Sequence, residues 1–255
     1  MSDYSDVRSD LARRGWSVIR QLFDAKQIQV LRDAFDSKLR HDSPSSDILY
    51  THSNVPSDSP GMANLMTQWL NPHKSEGRGS TWSLANSLIE IMTEIMEARP
   101  VLFQDILMMK EAGHSPFEWH QDYPFWPVDS PNGLILWVPA QDVDYENGGL
   151  GFADGSHLHG AGPSINIHTG LPQAGTTGHV PTDMEQITPE LKAGDALIFT
   201  SLTWHRSDMN NSDTPRLAWS STWLHPDSRW DLQNAPNHPL SHEFEHGELV
   251  SGVLS

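Results

Sequence analysis

Apolar positions along this chain keep two different periods, and the change falls near residue 100. Before it the spacing is helical. Ser5 or Asp6 can cap a short helix that runs through Arg14 and stops at Gly15. Val18 and Ile19 then suggest a short strand. Asp24 can cap a second helix, in which Ile28, Leu31, Phe35 and Leu39 form one apolar stripe suited to core packing. A third helix is predicted over about residues 82–97, with Leu84, Leu88, Ile91, Met92 and Ile95 on one side and Pro100 closing it. Between the second and third helices, residues 41–80 are rich in Ser, Pro, Asn, Asp and Gly. Tyr50, Met62, Leu65, Met66 and Trp69 are scattered among them. That is the pattern of an irregular insertion with apolar anchors, a candidate lid or binding loop.

Beyond residue 100 the rhythm is that of strands. Residues 101–110, 117–122, 134–138, 149–152, 196–200 and 216–224 are short runs separated by turn chemistry. Asn147-Gly148-Gly149, Asp154-Gly155-Ser156 and Gly194-Asp195 are strong turn signals. Residues 156–190 form a second Gly-, Pro- and Thr-rich excursion, again a candidate wall or lid. Helices first and many antiparallel strands afterwards predict a mainly β fold, a double-stranded β-helix (jelly roll) with N-terminal supporting α-helices. The chain reads as a single domain over 1–255: helical support and lid insertion in 1–100, jelly-roll core in 101–224, and a C-terminal extension in 225–255.

Composition narrows the function classes. A length of 255 residues is ordinary for one large β-sandwich, and 10 Trp offset a modest 37% hydrophobic content. The formal charge is −17 with no Lys/Arg cluster against it, which argues against nucleic acid as a partner. The same field disfavours strongly anionic substrates such as coenzyme A thioesters and leaves a neutral or cationic small molecule as the expected partner. No apolar run approaches the length needed to span a bilayer, so no membrane association is expected. The acidic N-terminus lacks the basic and apolar regions of a signal peptide, and the absence of Cys fits a reducing compartment; together these point to the cytoplasm. Nothing in the sequence indicates an oligomeric state.

The chemistry is carried by His120-Gln121-Asp122, followed far downstream by His205 and then Arg216. Two histidines and a carboxylate can occupy one face of an octahedral Fe(II) ion and leave the opposite face open. Residues two apart on a strand point the same way, so one short segment can supply His120 and Asp122 together. His205, in the turn after the 196–200 strand, can complete the set, and Arg216 on the next strand can bring a cation to the same cavity. The other histidines are weaker candidates. His157 and His159 sit in a Gly-Ser-His turn, His242 and His246 share a spacing but lack a third ligand, and His114, His168, His179 and His225 stand in loops without a partner. Phe125 and Trp126, just after the ligand segment, are candidate apolar walls for a substrate.

These pieces have a familiar order. Trp119-His120-Gln121-Asp122, Leu136-Trp137-Val138-Pro139, Glu146-Asn147-Gly148-Gly149-Leu150, Asp154-Gly155-Ser156-His157, Gly194-Asp195, His205, and Asn210-Asn211-Ser212 with Arg216 follow one another over residues 101–224. Preceded by Gly15-Trp16-Ser17-Val18 and a helix, this stretch resembles the phytanoyl-CoA dioxygenase-like branch of Fe(II)/2-oxoglutarate oxygenases. Residues 41–80 and those after 225 carry no such likeness. The resemblance implies that His120, Asp122 and His205 bind Fe(II), and that Arg216 pairs with the distal carboxylate of 2-oxoglutarate, which a guanidinium fork suits. It extends to Lys110 and Ser207 as further contacts of 2-oxoglutarate. O2 is the second cosubstrate. Halogenating relatives replace the carboxylate ligand by a small residue, whereas this chain keeps Asp122, so the resemblance implies hydroxylation or a related oxidation of a small molecule such as an amino acid, an amine or a secondary metabolite. Two other readings of the same residues stand beside it: a jelly-roll metal enzyme that does not use 2-oxoglutarate (an isomerase, hydrolase or cofactor-free dioxygenase), or a non-catalytic binding protein of the same fold.

Overall fold

A computed structural model of the chain describes residues 3–40, 48–50, 66–74, 80–114, 116–163, 183–235, 238, 240–241 and 243–252. The first helix, α1 (Ser5–Arg14), starts one step earlier than a Ser5 cap and two steps earlier than an Asp6 cap would place it. Asp3 supplies the first acceptor, its carboxylate taking the Ser5 N–H at 2.9 Å. Gly15 ends it as expected, at φ 83° with its N–H returned to the Leu11 carbonyl. Strand β1 (Trp16–Ile19) follows. Asp24 then caps α2 (Ala25–Arg40) reciprocally: its carboxylate accepts from the Gln27 N–H at 2.8 Å, and the Gln27 side chain accepts from the Asp24 N–H at 3.0 Å. Ile28, Leu31 and Phe35 are buried, but Leu39 is half-exposed, because the last turn of α2 runs past the edge of the core.

The 41–80 segment is not wholly irregular. It contributes β2 (Ile48–Tyr50) and β3 (Thr67–Leu70), which extend a sheet edge, with Met66 and Trp69 buried. Strands of three and four residues are too short for a period to show in sequence. Helix α3 (Ser80–Met96) buries Leu84, Leu88, Met92 and Ile95. Then come β4 (Val101–Lys110), β5 (Phe117–His120), β6 (Gly133–Pro139), β7 (Leu150–Ala153), β8 (Gln186–Ile187), β9 (Ala196–Thr200), β10 (His205–Ser207) and β11 (Arg216–Leu224). The lid role expected of 41–80 and 156–190 falls mostly on residues outside those described.

Two antiparallel sheets result. The larger has the order β1-β9-β6-β11-β4-β3-β2 and the smaller β5-β10-β7-β8, the arrangement of a jelly roll. The central strands of the larger sheet divide their residues between two cores. Leu107, Met109, Trp219 and Trp223 face the helices, alongside Leu31, Phe35, Leu88 and Met92. Phe103, Trp137, Ala218 and Leu224 face the smaller sheet, alongside Phe152 and Phe199. A register shift where β11 meets β4, between Thr222 and Trp223, gives β4 one extra residue. Phe103 and Lys110, an odd number of positions apart, can therefore both belong to the inner face.

Turn chemistry holds the frame where it was expected. Gly194 sits at φ 100°, and a Cβ there would stand 2.5 Å from the Phe23 carbonyl, so only glycine lets this turn approach the loop between β1 and α2. The chain after β11 closes one end of the interior: Trp230 stacks on Phe244 at 3.8 Å between centroids and lies 5.6 Å from Phe103. Among the described residues, no helix is long and apolar enough to cross a membrane.

Candidate metal centre

Neighbouring strands of the smaller sheet bring the two histidines together. His120 closes β5, His205 opens β10, and the two are direct partners in the antiparallel register. Their rings stand 4.1 Å apart between centroids. His205 therefore lies on a strand, not in a turn as its surroundings in the sequence suggest. A register shift between His205 and Ser207 sets two residues of β10 against a longer stretch of β5, and it lets the Phe117 ring meet the His120 ring edge-on at 5.0 Å.

Asp122 arrives by a different route from the one strand spacing predicts. β5 ends at His120, and Asp122 lies at φ −79°, ψ −35°, the first step of a 3₁₀ turn over Tyr123–Phe125. The N–H groups of Asp122 and Tyr123 both donate to the Ser201 carbonyl at 3.1 Å, so the loop before His205 holds the turn. The outcome serves the same chemistry. One Asp122 carboxylate oxygen is 3.8 Å from Nε2 of His120 and 3.8 Å from Nε2 of His205. Possible ligand atoms of all three residues lie within 4.8 Å of one another, and no other group of three such residues is found among the described residues.

Protonation is set by the backbone. Nδ1 of His120 faces the Glu118 carbonyl at 2.7 Å, and Nδ1 of His205 faces the Thr203 carbonyl at 3.0 Å. A carbonyl can only accept, so each Nδ1 carries the hydrogen and each Nε2 turns its lone pair toward Asp122. Burial pushes His205 down to about 4, which keeps it neutral. Burial also pushes Asp122 up to about 6, with His120 pulling it back. A dication among these atoms reverses that penalty on the carboxylate, and two neutral imidazoles with one carboxylate are a donor set that fits such an ion. Asp122 is the most open of the three, at 24% side-chain exposure against 7% for each histidine, so the approach from outside lies on its side.

Gln121 is legible in the sequence only as the middle letter of the motif, and its role comes from two distant loops. Its side-chain amide donates to the carbonyls of Gly160 (2.9 Å) and Leu202 (2.6 Å) and accepts from the Gly162 N–H at 2.6 Å. It is 1% exposed, so its amide is shielded from water as these bonds tie the His120–Asp122 segment to the loop before His205.

Further along the interior lies a cationic end. Arg216 and Lys110 are register partners on β11 and β4, and both are buried. Lys110 is not the solvated strand-end residue its position allows. Nζ donates to the Ser207 hydroxyl at 3.0 Å, to the Ser207 carbonyl at 3.2 Å and to the Asp208 carbonyl. Burial, and then the neighbouring Arg216, push Lys110 down to about 6, with Asp208 and Glu118 opposing. Arg216 is 1% exposed, and among the described residues its Nε and Nη1 have no hydrogen-bond partner. Its other contacts are the Met66 sulfur, 3.7 Å from Nη2, and the face of Trp137, 5.3 Å from Cζ. Burial lowers it to about 10.

The two aromatic candidates separate. Phe125 is half-buried, with its ring 6.5 Å from the His120 ring, on the metal side. Trp126 is 3% exposed and spends its ring on Phe103 and on the backbone at Gly133, so it has no open face to offer. Phe117, which no motif in the sequence singles out, stands closer to His120 than either. Of the remaining histidines, Nε2 of His157 faces the Ala12 carbonyl at 3.2 Å, and His225 and His246 pair with Asp227 and Asp231 near the surface. His168, His179 and His242 lie outside the described residues.

Known proteins share this frame. The chain resembles the non-heme α-ketoglutarate-dependent carbocyclase SnoK from nogalamycin biosynthesis at a TM-score of 0.79, with 16% identity, over 100% of this chain and 95% of that one. It resembles the epimerase SnoN, solved with Fe3+, α-ketoglutarate and nogalamycin RO, at 0.77, with 19% identity, over 96% and 94%. EctD from S. alaskensis, solved with 2-oxoglutarate and 5-hydroxyectoine, is similar at 0.72, with 17% identity, over 100% and 87%. In sequence, a probable α-ketoglutarate-dependent hypophosphite dioxygenase of Stutzerimonas stutzeri is 20% identical over 169 residues, which are 66% of this chain and 58% of that relative's length. The family model for phytanoyl-CoA dioxygenase matches residues 11–218, from α1 to the strand that carries Arg216, and on that match the chain belongs to the phytanoyl-CoA dioxygenase family.

Proposed function

We propose that this chain is an Fe(II)- and 2-oxoglutarate-dependent oxygenase that oxidises an unactivated C–H bond of a small molecule, with hydroxylation as the outcome. In this reading His120, Asp122 and His205 hold the iron, and Arg216 receives the distal carboxylate of 2-oxoglutarate, with Lys110 and Ser207 beside it. The observation that carries the reading is the state of Arg216. A fully buried guanidinium with two nitrogens lacking acceptors among the described residues calls for an anion. It shares an interior with a two-histidine, one-carboxylate cluster. A metal enzyme that used no dicarboxylate would bear the cost of this cation without using it.

The residues divide the work. Backbone carbonyls at Glu118 and Thr203 fix the tautomers of His120 and His205. Gln121 keeps the loops that carry the ligands in register. Asp122 occupies the position that halogenating relatives leave open, and this favours hydroxylation or a related oxidation over halogenation. Phe117 and Phe125 present ring edges to His120 and exclude water from one side of the centre. When bound, the Fe(II) and 2-oxoglutarate pair supplies the oxidising power from O2, with release of succinate and CO2. The substrate side, with Phe117 and Phe125 in a strongly acidic chain, suits a neutral or cationic small molecule bearing apolar surface: an amino acid derivative, an amine or a secondary metabolite. The expected setting is the cytoplasm.

Anaerobic addition of Fe(II) and 2-oxoglutarate tests the proposal through the weak visible charge-transfer band of the chelate. Wild-type protein is expected to develop the band and to release succinate in air, and His120→Ala to lose tight Fe(II) binding. Absence of both band and succinate from the wild-type protein refutes the assignment.

A further inference from the structure

Arg216 is steered by partners that are soft and uncharged. Nη2 donates to the Met66 sulfur at 3.7 Å, the guanidinium lies over Trp137, and no carboxylate touches it among the described residues. Met66 is itself buried, at 7% exposure, and immediately precedes β3. β3 pairs with β4 beside the Lys110–Arg216 row, with Thr67 opposite Met109. The thioether is therefore delivered to the guanidinium by the sheet rather than by a free loop.

The identity of the atom matters. A thioether sulfur is a weak acceptor. It favours one orientation of the guanidinium and leaves most of its charge unanswered. A carboxylate at the same place would form a charge-assisted bond about twice as strong as a neutral one and would neutralise the cation before any ligand arrived. A purely apolar side chain would fill the volume and leave the fork free to turn. We propose that Met66 is a positioning residue for the cosubstrate: its sulfur aims the guanidinium of Arg216 while leaving the charge uncommitted, so that a dicarboxylate meets an oriented, unneutralised fork. The assignment rests on the 2-oxoglutarate reading of the site and adds to it a residue on a different strand.

The test uses the full chain loaded with Fe(II) under anaerobic conditions and titrated with 2-oxoglutarate, followed by the visible band and, independently, by calorimetry. Met66→Leu is expected to weaken 2-oxoglutarate about two- to three-fold, less than one ordinary hydrogen bond because sulfur is a weak acceptor. Met66→Glu is expected to weaken it by more than about 100-fold, because the new carboxylate pairs with Arg216. Fe(II) affinity should stay at the wild-type value in both, and in Met66→Leu kcat at saturating 2-oxoglutarate should hold while KM for 2-oxoglutarate rises. A merely structural role would instead lower the melting temperature and Fe(II) affinity together. Should Met66→Glu fail to fold, Met66→Gln carries the same sign, with a loss of about ten-fold. Wild-type 2-oxoglutarate affinity in all variants overturns the assignment alone. Wild-type protein that binds Fe(II) but no 2-oxoglutarate overturns the oxygenase reading and this assignment with it.

Discussion

Arg216→Met should make the ligand-free protein more stable while destroying its response to 2-oxoglutarate. The side chain is 1% exposed, two of its three guanidinium nitrogens have no acceptor among the described residues, and burial holds it at about 10, well below the ordinary guanidinium value. At about 1.4 kcal/mol per pH unit, that depression is worth about 3 kcal/mol against the charged form. Below pH 10 the folded and unfolded chains both keep the proton, so the penalty is fully present at pH 7 and fades only as pH rises through about 10. Against it stand the Trp137 face and the Met66 sulfur, together worth about 1 kcal/mol. Methionine keeps much of the stem volume and removes the charge, so the net gain is about 2 kcal/mol, or about 4–8 °C in melting temperature for a chain of this size. The assay is thermal unfolding with and without 2-oxoglutarate, in the presence of a divalent metal. Wild-type protein should gain about 2.7 kcal/mol at 100 times Kd, and the variant should gain nothing. A melting temperature lower than wild type, or continued stabilisation of the variant by 2-oxoglutarate, would refute the reasoning.

Two further outcomes follow from buried groups nearby. Lys110 is held at about 6 instead of 10.5, so between those values the unfolded chain binds a proton that the folded one lacks, and stability rises with pH across that window. Lys110→Met should flatten the rise, as read from ligand-free melting temperatures between pH 6 and 9, and 2-oxoglutarate binding near pH 8 should take up a proton in wild type only, as read by calorimetry in buffers of different ionisation heat. Gln121→Ala strands the carbonyls of Gly160 and Leu202 and the N–H of Gly162. At about 1 kcal/mol for each part-buried hydrogen bond lost, urea unfolding should record a loss of about 3 kcal/mol, and a loss under about 1 kcal/mol would contradict the clamp.

Much of the fold is local information, legible in the order of the residues. Asp24 with Gln27, Gly15, and the stripe of Ile28, Leu31 and Phe35 act over one or two helical turns, and the spans of α2, β4, β9 and β11 lie close to those the periods predict. Where the periods mislead, the deciding partner is far along the chain. β3 exists because Thr67–Leu70 finds β4, and Trp126 is closed off because Phe103 and Gly133 reach it. His205 becomes a strand residue only by pairing with His120 and Phe152.

The metal centre divides in the same way. The sequence by itself determined which atoms are available: two imidazoles, a retained carboxylate and a downstream guanidinium, in an order shared with one family. Only the tertiary structure decided that Asp122 reaches the histidines from a 3₁₀ turn pinned to Ser201, that Gln121 bonds to the 160–162 loop and to Leu202, and that Arg216 is buried beside a sulfur and an indole with no carboxylate on it among the described residues. Residue type and period are properties of neighbours in the chain. Burial, hydrogen-bond satisfaction and the charge state they impose are properties of neighbours in space, and pairings across a hundred residues cannot be read from spacing alone.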